Sequence, residues 1–521
     1  MPLSAARTVR DQRLLTPAEH LGVLVVPPVA SLRDSLKRWT KGTFEGVRIL
    51  DTTLGLLRAE LREQLELNTP VVVTGHQPEF IHAGVFAKSV AAHALAEQLG
   101  GQAVYVTVDS DVPKRAQITI PQSTAAGLRR VEIAIPATDR RLPYELQPRL
   151  PRADWLQFFA NIGAIYELRD EALLGTWARA WLTTTEASPA YCDAYERARA
   201  ACEAALGLDG IRELRISRLC ASRAFRCFVA HCLLNAPRVV VDYNAAQAAY
   251  RQRHRIRAPG RPVPRLIVDG DTLELPFWVL GPEEPRRRLF ITLQDDTIEL
   301  STDNRRIGIV ERRDLGKAAA HADPWPLEAE GWQLRPRALM LSAFARLFLA
   351  DVFIHGIGGA QYDEMMEDFV RSSLGIEPAP LGCVSATLHL PLRREGVRRA
   401  DIAAARQRRR DLRYNPHRHL RNVPEQLLRR REELIRRSDE LRADQPGDHV
   451  QRSVTFREMR RVNEQILKTD PWRMAEYDQR VRALETQWSL DRIALDREYF
   501  FALHAAGTLE ELTQRVRAKL R

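Results

Sequence analysis

The chain has 521 residues, 45% of them hydrophobic and 28% charged, with 78 Lys and Arg against 67 Asp and Glu. At ~100–200 residues per domain this is roughly two to four domains, or one large core with insertions, and it excludes disorder as the main state. The longest apolar run, residues 21–26, stops at Pro27-Pro28, far short of the ~20 residues a membrane span needs.

Residues 1–15 hold no apolar signal core, so a cytoplasmic protein with no membrane partner is expected. The net charge is +11 and the cations are nearly all Arg. Acidic residues are interleaved almost throughout, so the excess reads as a compositional preference for Arg, with nucleic acid not an expected partner. The six cysteines (Cys192, Cys202, Cys220, Cys227, Cys232 and Cys383) contain no Cys-x-x-Cys. They read as free buried thiols in a reducing compartment.

Residues 1–70 read as a helical entry region. Val71-Val72-Val73, bounded by Pro70 and Thr74-Gly75, predicts a buried strand. A helix is expected over 83–99, with Phe86, Val90 and Ala94 on one face and Gly100-Gly101 as its stop. The run 103–108 predicts a second strand, completing a right-handed βαβ unit. Strand and loop follow over 115–150, helix over about 153–236 and a short apolar strand at Val239-Val240-Val241. Hairpins are expected over about 263–310, one turning at Asp269-Gly270 and one near Asp295-Asp296. Helical periodicity returns over about 336–374, interrupted at Gly356, and a strand is expected over 383–390. Residues 393–498 are dense in Arg and Glu. Leu427, Leu434 and Leu441 recur every seven residues, Val481, Leu484, Trp488 and Leu495 make a similar seam, and Pro446-Gly447 lies between. This predicts an antiparallel helical arm or short coiled coil, a solvated bundle being the alternative. Residues 499–521 form a helix returning to the core at 1–392.

Ligands of open parallel α/β sheets bind outside the carboxyl ends of the strands. Two segments are expected to meet there. In the first, Thr74-Gly75-His76-Gln77 leads to His82-Ala83-Gly84. Gly75 is expected to turn the chain off the strand, and the helix start at Ala83 offers open amides to an anion, flanked by His76, Gln77, His82 and Lys88. In the second, Asp109-Ser110-Asp111 puts two carboxylates on the same side if the strand continues, fit to orient an amine or hold a cation. A third cluster, His355-Gly356-Ile357-Gly358-Gly359 followed by Tyr362 and Asp363, allows close backbone approach to a ligand. It is not a dinucleotide fingerprint.

At these places the sequence resembles the bacillithiol biosynthesis cysteine-adding enzyme family. Its pattern is a strand ending in Thr-Gly-Gln-Gln, a Gly-Pro-containing helix start with a Lys further in, a strand ending in a Glu-Asp-His-Asp type sequence, and a Gly-Gly turn before a later helix. Here these look like Val73-Thr74-Gly75-His76-Gln77, His82-Ala83-Gly84 with Lys88, Val108-Asp109-Ser110-Asp111, and Gly358-Gly359 with Tyr362. The loop is also similar to the HxGH signature of HIGH-type nucleotidyltransferases, with Val85 in place of the last histidine and no KMSKS-like loop.

The resemblance implies an α/β fold: a Rossmann-like parallel-sheet core with inserted segments and a coiled-coil arm that makes a homodimer. It implies a ligase joining an amine, such as that of cysteine, to a small-molecule acceptor, with ATP/ADP or a preactivated substrate; the metal stays open. His76, Gln77, Asp109 and Asp111 would be catalytic. Thr74, Gly75, His82, Gly84, Lys88, His355, Gly358, Gly359, Tyr362 and Asp363 would bind substrate or nucleotide. Two other readings stand beside it. Asp109-Ser110-Asp111 resembles the Asp-x-Asp element of metal-dependent glycosyltransferases, and the basic arm is compatible with a non-catalytic scaffold that engages nucleic acid through Arg409, Arg410, Arg429–Arg431 and Arg436-Arg437.

Overall fold

A computed structural model describes every residue except 1–8, 10–12, 40–43, 45, 137, 149–150, 167–171, 188–189, 259–262, 282–284, 304, 316–327, 329–330, 338 and 446. The N-terminal stretch read for a signal core, apart from Val9 and residues 13–15, and Pro446 of the arm therefore lie outside the described residues. The chain divides into a main unit, 1–120 with 131–389 and 497–521, and a second unit, 390–496 with 121–130.

The main unit opens with β1 (Gly22–Val26), α1 (Val29–Trp39) and α2 (Leu54–Gln64). The predicted βαβ unit is β2 (Val71–His76), α3 (Ala83–Leu99) and β3 (Gln102–Thr107). Val71, Val72 and Val73 are fully buried. Such a β-branched run suits a strand covered on both faces, each side chain contributing roughly 1.5–3 kcal/mol. The α3 helix ends where Gly100 takes a left-handed φ of 66°, a conformation glycine adopts freely.

A hairpin, β4 (Gln117–Thr124) and β5 (Gly127–Ala134), leads to α4 (Arg152–Tyr166), α5 (Leu174–Ala187) and α6 (Tyr191–Ala204). Then come β6 (Arg212–Arg215), α7 (Arg223–Leu234) and α8 (Ala236–Arg253). Strands β7 (Thr272–Leu280), β8 (Arg287–Leu293), β9 (Thr297–Ser301), β10 (Arg306–Glu311) and β11 (Gln333–Pro336) make an antiparallel sheet ordered β10-β9-β8-β7-β11, with the two-residue strand Val268–Asp269 pairing beside the start of β7 as a sixth. The short helix α9 (Leu339–Phe344) runs on through a π-helical turn, Ala345–Leu349, to β12 (Val352–His355), α10 (Ile357–Leu374) and β13 (Leu381–Thr387).

The main sheet is ordered β1-β13-β12-β2-β3-β6. All pairs are parallel except β1 with β13. From β2 the chain steps to β3 on one side, and from β12 it steps to β13 on the other. Right-handed crossovers in opposite directions send α3 and α10 to opposite faces. The gap between the carboxyl ends of β2 and β12 is thus a topological switch point, where open α/β sheets bind their ligands.

Three expectations need correction. Val239-Val240-Val241 lies in α8, not in a strand: Pro237 sits in the first turn, and Val241 is 65% exposed while Val239 and Val240 are buried. A three-residue β-branched run does not outweigh that start and the Ala-rich sequence after it. The segment 336–374 is not helical up to Gly356, because Val352–His355 is a core strand. The helical insertion also contains a strand, β6, at the sheet edge, where only Leu214 is buried.

The second unit holds α11 (Arg399–Tyr414), α12 (Glu425–Asp444), α13 (His449–Lys468) and α14 (Pro471–Ala494). Their shared core is Leu412, Leu420, Leu434, Val462 and Ile466. The seam Leu427, Leu434 and Leu441 lies on α12, which packs on α13; Val481 and Leu484 lie on α14, which packs on α11. The two seams therefore serve different helix pairs. Among the described residues no single helix is long and apolar enough to cross a membrane.

Candidate functional site

The β2–α3 loop is built differently from its sequence reading. Gly75 is not a turn but lies inside β2, where a Cβ would collide with the Val106 carbonyl of β3. The strand continues to His76. The start of α3 is not an open anion site either. His82 is its N-cap, and Nδ1 of His82 accepts from the Gly84 amide at 3.0 Å. The Val85 and Phe86 amides donate to the His82 carbonyl at 2.9 and 3.1 Å. Gly84 leaves room for Arg497, whose Nη2 a Cβ there would strike.

Asp109 and Asp111 do not act as one pair. Strand β3 ends at Thr107, and the two carboxylates have separate partners. Asp109, 1% exposed, accepts from the Ser217 amide at 2.9 Å and from the Ser217 hydroxyl. Burial raises its pKa against those hydrogen bonds. Asp111 accepts from Gln77 Nε2 at 2.8 Å and pairs with Arg286 Nη1 at 2.6 Å. Gln77 is thereby fixed toward β3. Among the described residues, no group of three or more His, Cys, Asp or Glu could hold a metal ion.

The third cluster moves to the centre. Since Val352–His355 is a strand beside β2, Gly356 begins the β12–α10 loop at the switch point. Thr74 Oγ1 donates to the Ile354 carbonyl at 2.9 Å and locks the two strands together. Gly356 is the N-cap of α10 and supplies no side-chain cap. The first turn is Ile357-Gly358-Gly359, so its amides keep the partial positive charge of a helix start. A Cβ at Gly358 would meet nothing within 4 Å, whereas one at Gly359 would collide with the His355 ring. Nε2 of His355 lies 3.6 Å from buried Asp363 Oδ1 and 3.5 Å from Ser342 Oγ. Burial pushes the Asp363 carboxyl up, but His355 and Arg346 hold it down at about 2. Tyr362 is 42% exposed.

Lys88 joins the two loops. It is 3% exposed, Nζ donates to the Gly75 carbonyl at 2.6 Å, and its Cδ is 3.7 Å from where a Gly356 Cβ would stand. Burial, more than the nearby Lys114 charge, lowers it to about 7. His76 is driven well down by burial and then by Lys88. Its Nδ1 lies 3.0 Å from the Gln77 carbonyl. A carbonyl only accepts, so Nδ1 carries the proton and neutral Nε2 is left as an acceptor. His82 falls to about 3 through burial, then Arg497 and Lys88. These basic groups thus disfavour one another's charge. Asp109 and Asp111 are engaged elsewhere; half-exposed Glu498, 3.7 Å from His82 Nε2 and 3.9 Å from Arg497 Nε, is the acid beside His82, and among the described residues Lys88 has only the Gly75 carbonyl.

Sequence reasoning missed Arg497, Lys114, Ser342 and Arg346. Arg497 is far along the chain and gave no signal. Lys114 carried one, since the chain has only seven lysines and two border these loops. Arg346, 2% exposed, projects from the π-helical turn to Asp363 at 2.9 Å and Glu367 at 2.7 Å.

A cleft of about 1070 Å³ lies elsewhere, against Trp39, Tyr250, Gln361, Glu364 and Arg371. Of its charged groups, Glu364 pairs with Arg253 at 2.7 Å and Arg371 with Glu377 at 2.6 Å, while among the described residues Arg38 reaches only the Ser35 hydroxyl at 3.2 Å. The cleft lies away from the carboxyl ends of β2 and β12, where open α/β sheets bind their ligands, and volume alone is a weaker mark of chemistry than that position. No family model matches the chain, and no curated protein matches it significantly.

Proposed function

We propose that the chain is an enzyme that binds an anionic small molecule at the β2/β12 switch point and joins an amine to a carboxylate. The observation that carries this reading is the cluster of partly buried His76 and His82 with buried Lys88, each disfavouring the others' protonated form, beside the uncapped first turn of α10. Lys88 and the Gly358 and Gly359 amides would bind phosphate or carboxylate oxygens. Neutral His76, with Nε2 free to accept, would take a hydrogen bond from the attacking amine and orient it. A nucleotide, ATP or ADP, would supply the activation an amide bond requires, and the open space at Gly358 suits its phosphates.

The resemblance noted in the sequence favours cysteine as the amine. It also favours a HIGH-type nucleotidyltransferase relationship, a cytoplasmic setting and a homodimer formed through a coiled-coil second unit.

The test is incubation of the full chain with ATP, Mg²⁺, cysteine and a panel of amino-sugar glycosides and carboxylates, followed by mass spectrometry. A product combining cysteine and acceptor is expected, with His76→Ala lowering its rate at least about 100-fold. No product from any acceptor, with phosphate still bound, would retire ligation. Loss of anion binding as well would retire the site.

A further inference from the structure

The basic excess of this protein is not spread along the chain. The second unit contains 28 Lys and Arg against 18 Asp and Glu, while the much longer main unit contains 50 against 49. Within the second unit the excess is again local. Helices α12 and α14 are neutral, with six Arg against six acids and four against four. Helix α11 has six Arg against two Asp, and α13 has five Arg and Lys against two Glu. The connection from 415 to 424 adds Arg418 and Arg421 with no acid.

The two basic helices are neighbours. They pack together, and Asn463 of α13 donates to the Tyr414 carbonyl at the end of α11 at 2.9 Å. Part of the charge is neutralised: Arg406 pairs with Glu485 and Arg409 with Asp478. Arg408, Arg413, Arg421 and Arg461 are exposed and have no acidic partner among the described residues. The helices are about 24 and 30 Å long at 1.5 Å per residue. Arg408 and Arg413 stand about 7.5 Å apart along α11, and with Arg421 and Arg461 they give several separate cations rather than a single point.

We propose that the α11–α13 face binds the phosphate backbone of a single-stranded nucleic acid. Unpaired guanidinium groups on α11, on the 415–424 connection and on α13 match a ligand that carries repeated charge. Exposed Tyr414, with Arg410 5.8 Å from its ring centroid, adds a surface on which a base stacks. A membrane surface fits poorly. The apolar positions Leu412, Val462 and Ile466 are spent in the unit's own core. The exposed Val450 and Phe456 of α13 are six residues apart and do not form one stripe.

The experiment is fluorescence anisotropy of a labelled oligouridine of about 20 nucleotides with the full chain, over about 50–200 mM salt. For about five phosphates, at ~0.7 each, the log–log salt slope should be near 3–4. The triple charge reversal Arg408→Glu, Arg413→Glu, Arg461→Glu should weaken binding at least about tenfold and lower the slope by about 2. The reversal Arg480→Glu, Arg482→Glu, Arg492→Glu on α14 changes the net charge equally and should cost less than about threefold; circular dichroism checks that both variants fold. No binding at the lowest salt, equal loss in both triples, preference for a duplex, or equal binding of anionic vesicles or polyglutamate would each overturn the proposal.

Discussion

Asp351→Ala is expected to destabilise the main unit by roughly 3–5 kcal/mol, the usual cost of removing one partner from a buried ion pair. Asp351 is 6% exposed and lies just before β12. It pairs with Arg58 at 2.8 Å and Arg62 at 2.9 Å, both on α2, and accepts from the Val71 amide at 2.7 Å. Without it the two guanidinium groups keep the carbonyls of Leu347, Leu349 and Ala350, and Arg58 its place over the Trp39 and Phe44 rings, but no carboxylate among the described residues. Arg58 is already lowered to about 9, chiefly by burial and then by Arg62, with Asp351 opposing. Removing the carboxylate leaves that burial uncompensated.

The effect reaches the site. β2 and β12 pair through only Val72 with Val352 and Val73 with Phe353, and Asp351 anchors the opposite end of both strands. Urea unfolding at neutral pH checks the loss, and Asp351→Asn, which keeps an acceptor for Val71, should recover part of it. A midpoint unchanged from the parent would contradict the account.

Lys88→Met is expected to separate stability from binding. It should weaken anion binding at least about 100-fold, about 2.8 kcal/mol at 1.4 kcal/mol per tenfold. It should not lower the melting temperature at pH 7. Burial lowers the folded-state lysine to about 7 from an ordinary 10.5. The unfolded chain therefore holds this proton up to about 10.5, and the folded chain only below about 7. Over that window the unfolded state binds more protons, so stability rises with pH there. Conversely it falls as pH drops from about 10.5 to about 7, and this lysine adds no further change below. Met removes that slope and keeps the apolar stem. A bound anion restores the charge, so binding near pH 8 should take up a proton, measurable as a dependence of calorimetric heat on buffer ionisation enthalpy. A destabilised Lys88→Met that still binds anion would make Lys88 structural.

The βαβ unit was legible because its signals are local: a triple valine, a helix with a glycine stop and a second apolar run. The position of the site at strand ends followed from that topology. Its chemistry was less legible because it depends on long-range pairing. Nothing near His82 in the sequence says that its ring caps α3, and nothing near Asp109 says that Ser217, 108 residues on, occupies its carboxylate. Val352–His355 was hidden because an Ala- and Leu-rich helix runs into it, and short apolar runs do not distinguish helix from strand. That misreading mattered most, since it concealed the second loop of the switch point. The cation excess was visible in composition, but the main unit's near balance diluted it. Only division of the chain into units brought out the bias of α11 and α13.

The most direct test of the central claim is a crystal structure of the full chain with inorganic pyrophosphate. The account predicts phosphate oxygens at hydrogen-bond distance, about 3 Å, from Lys88 Nζ and from the Gly358 and Gly359 amides. Pyrophosphate bound only in the cleft beside Glu364 and Arg371, or a β2/β12 gap closed by apolar side chains, would contradict it.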